Sequence, residues 1–354
     1  MRTDENKIYI THDQGATWAM PPELKDQEIN AIYPNPYNQD IIFFTTPSKK
    51  FFYSVDRGYT IESADGPDPP TRRFDIPLAL RFHPTKSDYI IWISDRDCKV
   101  PTSKTCHAAA YYTQDRGHSW PMLSAYVRNC AWIHSSALSN TPEKLIFCER
   151  YAKDERPSET NPIKLVANDD FKTETTHFEK IMGFATMEEF IVVAEVKDES
   201  SLRLHTSVDG KTFAEAHFPH NFHVVKQQAY TLLDSVTHAI FLHVTVNPVE
   251  GYEYGAILKS NSNGTSYVMS LPNVNRNEAG FVDFEKMQGL EGVAIVNVVV
   301  NVDEVNKGAK KKLKSKITHN DGGAWNYLPP PEKDVDGKKY GCNIKDVGLY
   351  FEID

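Results

Sequence analysis

The sequence predicts an all-β protein, specifically a β-propeller built from four-stranded blades. Short apolar and aromatic stretches are separated by turn residues and by many of the chain's 21 prolines, which is typical of short strands joined by turns. One hairpin-turn motif recurs along the 354 residues, and so does a strand, proline turn and strand unit. About four short strands in every 45 to 60 residues match the content of one propeller blade.

The repeated turn follows the pattern [Ser/Thr]-x-Asp-x-Gly-x-[Ser/Thr]-aromatic. Residues 11–18 and 113–120 are its clearest copies, and weaker copies start at Ser54, Ser207, Ser260 and Thr318. The six starts are separated by 43, 59, 94, 53 and 58 residues, and residues 164–170 hold a decayed copy inside the long interval. Because an apolar or aromatic stretch precedes nearly every copy, each copy is expected to follow a strand.

The residue types of the motif are those that a tight turn requires. The carboxylate accepts hydrogen bonds from nearby backbone N–H groups, glycine supplies a positive φ, and the aromatic ring packs back on the sheet. A ring of acidic residues that binds calcium or substrate is less favoured, because every part already has a role in the turn. The residues assigned to the turns are Asp13, Gly15, Trp18, Asp56, Gly58, Asp115, Gly117, Trp120, Asp209, Gly264, Asn320, Gly322 and Trp325.

A second repeat supports the same architecture. Residues 32–34 end in a proline and are followed by the apolar stretch 40–43, and residues 82–84 are followed in the same way by 88–92. Each pair predicts a strand, a proline-containing turn and a second strand.

Charge and hydropathy exclude two classes of function. The net charge of −9 opposes a phosphate backbone, so nucleic-acid binding is not expected. The sequence contains no apolar run of the roughly 18 to 20 residues that a membrane span needs, and no signal peptide follows Met1. The lysine run at residues 310–316 is expected to be a solvated hairpin loop.

The repeated turn resembles the Asp-box of sialidases, some glycoside hydrolases and the luminal propellers of the sortilin and vacuolar sorting receptor family. Longer stretches are similar to the sortilin-type propeller in particular, and they occur in the family's order from about residue 7 to about residue 342. These stretches are residues 7–13, 130–132, 203–209, 228–233 with 241–244, and 318–325 with 327–330.

The resemblance implies a partial domain. The family propeller has ten blades, and this chain is long enough for about seven of them. We therefore expect a partial sortilin-type propeller over residues 1–342 and a C-terminal tail over residues 343–354, where the family pattern stops.

The resemblance also implies a function. The chain is expected to be the cargo-binding luminal propeller of a sorting receptor that carries soluble hydrolases from the late Golgi to the vacuole through endosomes. Its partners would be peptide or propeptide segments of those hydrolases, with no cofactor, no metal and no nucleic acid. Its compartment would be the Golgi, endosomal or vacuolar lumen, with membrane attachment only through segments absent from this chain.

Family members bind peptides on the inner wall of the propeller, through an arginine beside apolar and tyrosine side chains. When the family's peptide-binding wall is matched to this chain strand by strand, its apolar part falls on Ile191 and Val193 and, on the next strand, on Tyr230 and Leu232. All four residues are also typical of ordinary strand core. The family arginine falls at a leucine in this chain, and its neighbour Arg203 would face the other side of the strand.

The five cysteines contain no CxxC pair, so a zinc site is not expected. The resemblance implies two disulfides, Cys98–Cys106 and Cys130–Cys148, whereas a cytosolic chain would keep free thiols. Cys342 is left without a partner. Asn263 begins a glycosylation sequon inside a predicted turn and is expected to be exposed.

The sequence leaves two alternative functions. The chain could be a truncated, degenerate paralogue that lacks receptor activity, or an Asp-box glycoside hydrolase with a pair of facing carboxylates. The 12 arginines are scattered and the sequence has no recognisable nucleophile, P-loop or zinc motif, so we do not expect an enzyme. His217, His220 and His223 are spaced by three residues, but Pro219 argues against a helix that would align them.

Overall fold

The computed structural model describes residues 1–73, 76, 78–98, 105–155, 158, 160–187, 189–198, 202–219, 230–236, 238–328, 333 and 335–339. The chain divides into two compact units, residues 1–184 and residues 185–354. The regular secondary structure of each unit is almost entirely antiparallel β-sheet in its described residues.

Consecutive strands pair side by side in the first unit. The N-terminal residues contribute two isolated bridges, Arg2 with Ile8 and Ile10 with Ala19, and a 3-10 helix at Pro22–Leu24. The strands are β1 Ala31–Pro34, β2 Ile42–Thr45, β3 Lys50–Ser54 and β4 Glu62–Asp65; β5 Leu80–Phe82, β6 Ile90–Arg96, β7 His107–Thr113 and β8 Met122–Ala125; and β9 Val127–Trp132, β10 Ile146–Tyr151, β11 Ile163–Asn168 and β12 Thr175–Met187. β12 runs past the end of this unit.

The second unit has the same local connectivity. Its strands are β13 Phe190–Val196, β14 Leu202–Ser207 and β15 Ala214–Glu215; β16 Tyr230–Val236, β17 Ala239–Asn247, β18 Tyr254–Ser260 and β19 Tyr267–Asn275; and β20 Phe284–Lys286, β21 Ala294–Val299, β22 Leu313–Thr318 and β23 Asn326–Tyr327. One helical turn, α1 Val302–Val305, lies between β21 and β22. β19 also pairs with β21 through Val274 and Val298.

The middle strands of the sheets are apolar on both faces, because neighbouring sheets cover them from both sides. In β6, Ile90 and Trp92 contribute to one apolar cluster with Phe43 and Phe51. The alternate residues of the same strand, Ile91 and Ile93, pack into a different cluster that includes Cys130 and Trp132. This two-sided burial explains why these strands read as continuous apolar runs rather than as alternating patterns.

The predicted fold class is confirmed: the chain is all-β, with four-stranded antiparallel sheets of the kind that form propeller blades and Asp-box turns between their strands. Each of the predicted turns that follows a named strand lies in the hairpin between the third and fourth strands of a blade, such as β3 and β4 or β7 and β8. The number of blades stays a prediction.

Some predicted features lie outside the described residues. They are the proposed boundary at residue 342, Cys342, the tail 343–354, His220 and His223.

Both predicted disulfides are confirmed. Cys130 on β9 and Cys148 on β10 are directly opposite each other in the strand register and are bonded. Cys98 and Cys106 are bonded across the connection between β6 and β7.

The lysine run differs from the solvated loop that the sequence predicted. Lys314 and Lys316 belong to β22, and both ammonium groups lie over the ring of Tyr327, at 6.0 and 4.6 Å from its centroid. The side chain of Lys311 is only 15% exposed, and its Nζ donates hydrogen bonds to the backbone carbonyls of Glu253 and Arg276. The long aliphatic stems let these residues pack along the sheet while the charged ends find acceptors.

None of the helices among the described residues has the length and the apolar character of a membrane span.

Candidate ligand-binding site

The carboxylates of the repeated turns are occupied by local hydrogen bonds. Asp13 accepts bonds from the Thr11 hydroxyl at 2.7 Å, from the Thr17 backbone N–H at 2.8 Å and from the Thr17 hydroxyl at 2.6 Å. The Gly15 N–H donates in turn to the Thr11 hydroxyl at 2.8 Å, with glycine at a φ of +94°. The copies at Asp56 and Asp115 repeat this arrangement bond for bond.

These bonds hold the carboxylates in the charged form. Hydrogen bonds from the Thr17 and Thr11 side chains and from the Thr17 backbone lower the pKa of Asp13 to about 2. The pKa of Asp56 is about 2 for the same reason, and that of Asp115 is about 2 as well, because hydrogen bonds from Ser119 and Thr113 outweigh its burial. A carboxylate with so low a pKa does not serve as a proton donor near neutral pH, so the geometry favours a structural role.

The more divergent copies keep the turn with other acceptors. At the copy that contains Gly264, Asn261 takes the place of the aspartate and its Oδ1 accepts the Thr265 N–H at 2.9 Å. Asn320 accepts the Ala324 N–H at 2.8 Å, and Asp209 accepts the Lys211 and Thr212 N–H groups, each at 2.8 Å. The decayed copy uses Asp170, which accepts from the backbone of residues 172 and 173.

The tryptophans of the turns differ in their surroundings. Trp120 packs edge-on against Phe51 and Trp92, and Trp325 donates from its ring nitrogen to the Ser270 hydroxyl at 2.9 Å. Trp18 instead remains 45% exposed and donates to the Gly15 carbonyl at 3.1 Å. Packing against the sheet, which the motif predicted for the aromatic residue, therefore holds at Trp120 and only in part at Trp18.

The predicted ligand-binding residues of the second unit lie mostly in its core. Ile191 and Val193 on β13 are completely buried. β14 and β15 form the Asp-box hairpin of this blade, so β13 takes its second strand position. Leu232 on β16 packs against an apolar cluster that contains Phe190 and Leu242. These contacts favour the alternative that the sequence left open, in which such residues are strand core.

Arg203 and Tyr230 complete the predicted set. Arg203 lies on β14 opposite Glu195 in the register, and its Nε is 3.6 Å from a carboxylate oxygen of Glu215. Tyr230 begins β16 opposite Val244. An arginine that already has an acidic neighbour is a weak candidate for capturing a ligand carboxylate.

Arg81, on β5, differs from Arg203 in its electrostatic surroundings, and it was not among the predicted ligand-binding residues. It alternates with the buried Leu80 and Phe82, so it points to the opposite face of the strand. Its Nη2 donates to the Asn129 side chain on β9 at 3.1 Å, and its Nε is buried with no hydrogen-bond partner among the described residues. Burial lowers the pKa of Arg81, and Glu149 opposes this effect.

Glu149 is the carboxylate whose charge opposes the effect of burial on the pKa of Arg81, but its own hydrogen bonds go to other residues. Its side chain is 6% exposed, and it accepts a hydrogen bond at 2.8 Å from Arg128, which is itself 24% exposed. The Phe184 N–H bonds to its other oxygen at 3.2 Å, and Arg128 also donates to the Met182 carbonyl at 2.5 Å. We call Arg81, Arg128, Asn129 and Glu149 the Arg81 cluster. One feature of the sequence could have pointed to this cluster, because Arg81 lies between two apolar residues of a short strand.

Asn263, the sequon residue, is exposed in its turn, in the position that glycosylation requires. In the described part of the chain, no group of three or more histidine, cysteine or acidic side chains is arranged to hold a metal ion.

Comparison with known proteins places these features in a family. The family model described as sortilin, neurotensin receptor 3 (Sortilin-Vps10) matches residues 6–349. A "Vacuolar protein sorting/targeting protein 10" of Pyrenophora tritici-repentis is 50% identical over 351 residues, which cover 98% of this chain. The protein of the same name from Aspergillus terreus is 49% identical over 343 residues, or 96% of the chain. The chain spans only 23% and 22% of the length of these two relatives.

Solved structures with a similar course of the chain are more distant. The propeller domain of the Trilobed protease from Pyrococcus furiosus is 11% identical, with a TM-score of 0.43 over 86% of this chain and 85% of that one. A GH74 xyloglucanase from Xanthomonas campestris is 14% identical, with a TM-score of 0.39 over 94% of this chain and 43% of that one.

Proposed function

This chain belongs to the Sortilin-Vps10 family of sorting receptors, and on that premise we propose that it is a luminal cargo-binding region. It would recognise peptide or propeptide segments of soluble hydrolases and take part in their transport from the late Golgi to the vacuole through endosomes. The observation that carries the proposal is the match to the family over residues 6–349, together with about 50% identity to fungal vacuolar sorting proteins.

Two structural features support a luminal compartment. Both disulfides lie within the first unit, and disulfides form and persist in oxidising compartments rather than in the cytosol. The sequon at Asn263 is exposed, as a glycosylated residue of the secretory pathway would be. Receptor function also agrees with the Asp-box carboxylates, whose hydrogen bonds commit them to the turns.

The recognition chemistry that we propose is that of an extended peptide on sheet edges and apolar pockets, with a charge-assisted bond that fixes its orientation. Ile191 and Val193 are buried, and Arg203 is paired with Glu215. We therefore propose that residues other than these form the charged part of the site.

The proposal is tested by comparing a hydrolase precursor with its mature form. The chain would be produced in an oxidising secretory compartment, immobilised, and exposed to a vacuolar hydrolase with its propeptide attached and to the same enzyme after the propeptide is removed. We expect retention of the precursor and not of the mature enzyme. Equal retention of both, or of neither by a chain that carries both disulfides, would contradict the proposal.

A further inference from the structure

We infer that the Cys98–Cys106 disulfide is a thiol-exchange site, which takes a small zwitterionic peptide thiol such as glutathione as a mixed disulfide. The inference concerns the first unit alone and does not depend on the proposed cargo-binding function. It rests on the contrast between the two disulfides, on a cavity beside Cys98 and Cys106, and on the charges that line this cavity.

The two disulfides of the first unit lie in different surroundings. Cys130 and Cys148 are 0% and 3% exposed and belong to an apolar cluster between neighbouring sheets. Cys98 and Cys106 are both partly exposed, and they join the two ends of the connection between β6 and β7. Thiol–disulfide exchange requires that a thiolate reach a sulfur atom. Of these two disulfides, Cys98–Cys106 is therefore the one open to attack in the folded chain.

A cavity of about 560 Å³ lies directly beside this disulfide. Both Cys98 and Cys106 line it, together with prolines and charged side chains. Its volume is within the range of sites that hold small molecules and is sufficient for a tripeptide. A thiol peptide that enters the cavity is therefore held next to the disulfide.

The cavity wall carries charges of both signs. Two guanidinium groups and three carboxylates line it: Arg72, Arg73, Asp68, Asp95 and Asp97. Asp97 is 62% exposed and lies 3.9 Å from Nε of Arg96, so it has a cationic neighbour outside the cavity. Glutathione carries carboxylates and an ammonium group, and each finds groups of opposite charge on this wall. The guanidinium groups suit the carboxylates in particular, because the two form parallel N–H···O bonds.

Two of the carboxylates are fixed by neutral groups. Asp68 accepts a hydrogen bond from the Tyr111 hydroxyl at 3.0 Å, and Asp95 accepts one from the Thr71 hydroxyl at 2.9 Å. A hydroxyl orients a carboxylate without cancelling its charge, and a carboxylate has room for further donors. Asp68 and Asp95 are therefore held in place with capacity left for the ammonium group of a bound peptide.

The exchange is balanced by the thiol and the disulfide alone. A glutathione thiolate attacks Sγ of Cys106 and forms a bond to it, while the Cys98–Cys106 bond breaks and leaves its electron pair on Cys98. The proton that glutathione lost to water is returned by water to the Cys98 thiolate. The Arg96 carbonyl oxygen, 3.1 Å from Sγ of Cys98, accepts a hydrogen bond from the new thiol. The same oxygen opposes the approach of an anion to Cys98, so the attack is assigned to Cys106.

The test compares glutathione with a neutral thiol, 2-mercaptoethanol. Free thiols of the full chain are first blocked with iodoacetamide. The chain is then exposed to increasing concentrations of either thiol, and the reaction is stopped with acid and N-ethylmaleimide before peptide mapping by mass spectrometry. We expect glutathione on Cys106 and N-ethylmaleimide on Cys98, with Cys130–Cys148 intact.

The dependence of the rate on concentration distinguishes a binding site from simple exposure. The rate should saturate with glutathione at a midpoint in roughly the millimolar range, because the peptide binds before it reacts. It should rise linearly with 2-mercaptoethanol, which has no charged groups for the cavity wall. A linear dependence on glutathione, or equal modification of both disulfides, would overturn the inference.

Replacing the guanidinium groups tests the recognition step. The double variant Arg72→Gln and Arg73→Gln should slow the reaction with dilute glutathione by at least about tenfold and leave the rate with 2-mercaptoethanol unchanged. Arg57→Gln is the matched control, because Arg57 lies in the β3–β4 turn, at the other end of β4 from Asp68. An unchanged glutathione rate in the double variant, or an equal loss with both thiols, would overturn the assigned site.

Single cysteine variants test which sulfur is attacked. In Cys98→Ser, the Cys106 thiolate displaces one half of glutathione disulfide and keeps the other half, because no neighbouring thiol removes it. We expect this adduct to form faster than the adduct of Cys98 in Cys106→Ser. The reverse order would overturn the assignment of Cys106. Circular dichroism verifies that the variants are folded, and saturation by glutathione in the unsubstituted chain remains decisive if they are not.

Discussion

At the scale of single residues, the sequence predicted those roles that depend on near neighbours. The turn carboxylates illustrate this, because every group that bonds to Asp13, Asp56 or Asp115 lies within four residues of it in the chain. Arg81 illustrates the opposite case. Its hydrogen-bond partner Asn129 is 48 residues away, and no local pattern announces a partner at that distance.

The hydroxyl that opens each turn should matter as much as the carboxylate. Thr113 is completely buried, and its Oγ1 donates to Asp115 at 2.6 Å and accepts the Gly117 N–H at 2.9 Å. We expect Thr113→Val to lower the free energy of unfolding by about 1 to 3 kcal/mol, because it leaves these groups without a partner at nearly constant volume. Urea denaturation measures the effect.

Thr175→Val is the matched control for that substitution. Thr175 is an exposed residue of β12 for which the structure gives no side-chain hydrogen bond. Its replacement should change the free energy of unfolding by less than about 0.5 kcal/mol. Equal effects at residues 113 and 175 would contradict the role of the turn hydroxyl.

His243 should make the stability of the fold depend on pH. It is completely buried in β17, and burial together with the nearby Arg276 lowers its pKa from 6.5 to about 4. Between these values the unfolded chain binds a proton that the folded chain does not. Stability should therefore fall as the pH decreases from about 6.5 to about 4, by about 2 to 3 kcal/mol from this residue.

Urea midpoints measured between pH 7 and pH 4 check this dependence. His243→Leu should reduce the loss of stability on acidification, while His319→Gln, at an exposed position, should leave it unchanged. Identical pH profiles for the original chain and His243→Leu would contradict this assignment. The pKa values of His83 and His177 are also lowered by burial, so part of the dependence should remain in His243→Leu.

At the scale of elements, the strands and their turns were predictable because their signals are local and repeated. The apolar stretches before the motif become the third strands of their sheets, as at β3 and β7. The lysine run was not predicted correctly, because a charged segment can lie on a strand when its stems pack on a neighbour. Tyr327 on β23 and the carbonyls near Lys311 supply those partners, and the sequence does not show their proximity.

Gly255 in β18 is a point where the sheet has no room for a side chain. A Cβ added there would lie 2.2 Å from the Val244 carbonyl oxygen and 2.5 Å from the His243 ring. We expect Gly255→Ala to destabilise the fold by about 3 kcal/mol or more, because backbone on an adjacent strand must move. Thermal unfolding followed by circular dichroism measures the change.

Gly289→Ala provides the comparison. Gly289 has a φ of +76° and no atom within 4 Å of an added Cβ, so only the strained backbone conformation opposes a side chain. Its cost should be about 1 kcal/mol. A smaller loss at residue 255 than at residue 289 would contradict the close approach described for β17 and β18.

At the scale of the whole molecule, the family and the fold class could be predicted from the sequence because the similarity runs along nearly the entire chain. The ligand-binding residues could not be predicted in the same way. Ile191 and Val193 were assigned by strand position, and their role in binding stays a prediction. Both are completely buried on β13, and that burial depends on long-range packing that the sequence does not show.

The state of the five cysteines tests the compartment that the proposal requires. Alkylation of the native chain without reductant should label a single cysteine, because Cys98–Cys106 and Cys130–Cys148 are bonded. Intact mass before and after alkylation gives the number directly, and reduction first should raise it to five. Five labels without reduction in a folded chain would contradict the luminal assignment.

The most direct test of the central claim is a calorimetric titration of the folded chain with an isolated vacuolar hydrolase propeptide, beside a scrambled peptide of the same composition. The account predicts a dissociation constant in roughly the micromolar range or tighter for the propeptide, and no measurable heat of binding for the scrambled peptide. Binding of neither peptide, or of both equally, by a chain with both disulfides formed would contradict the claim that this propeller recognises sorting cargo.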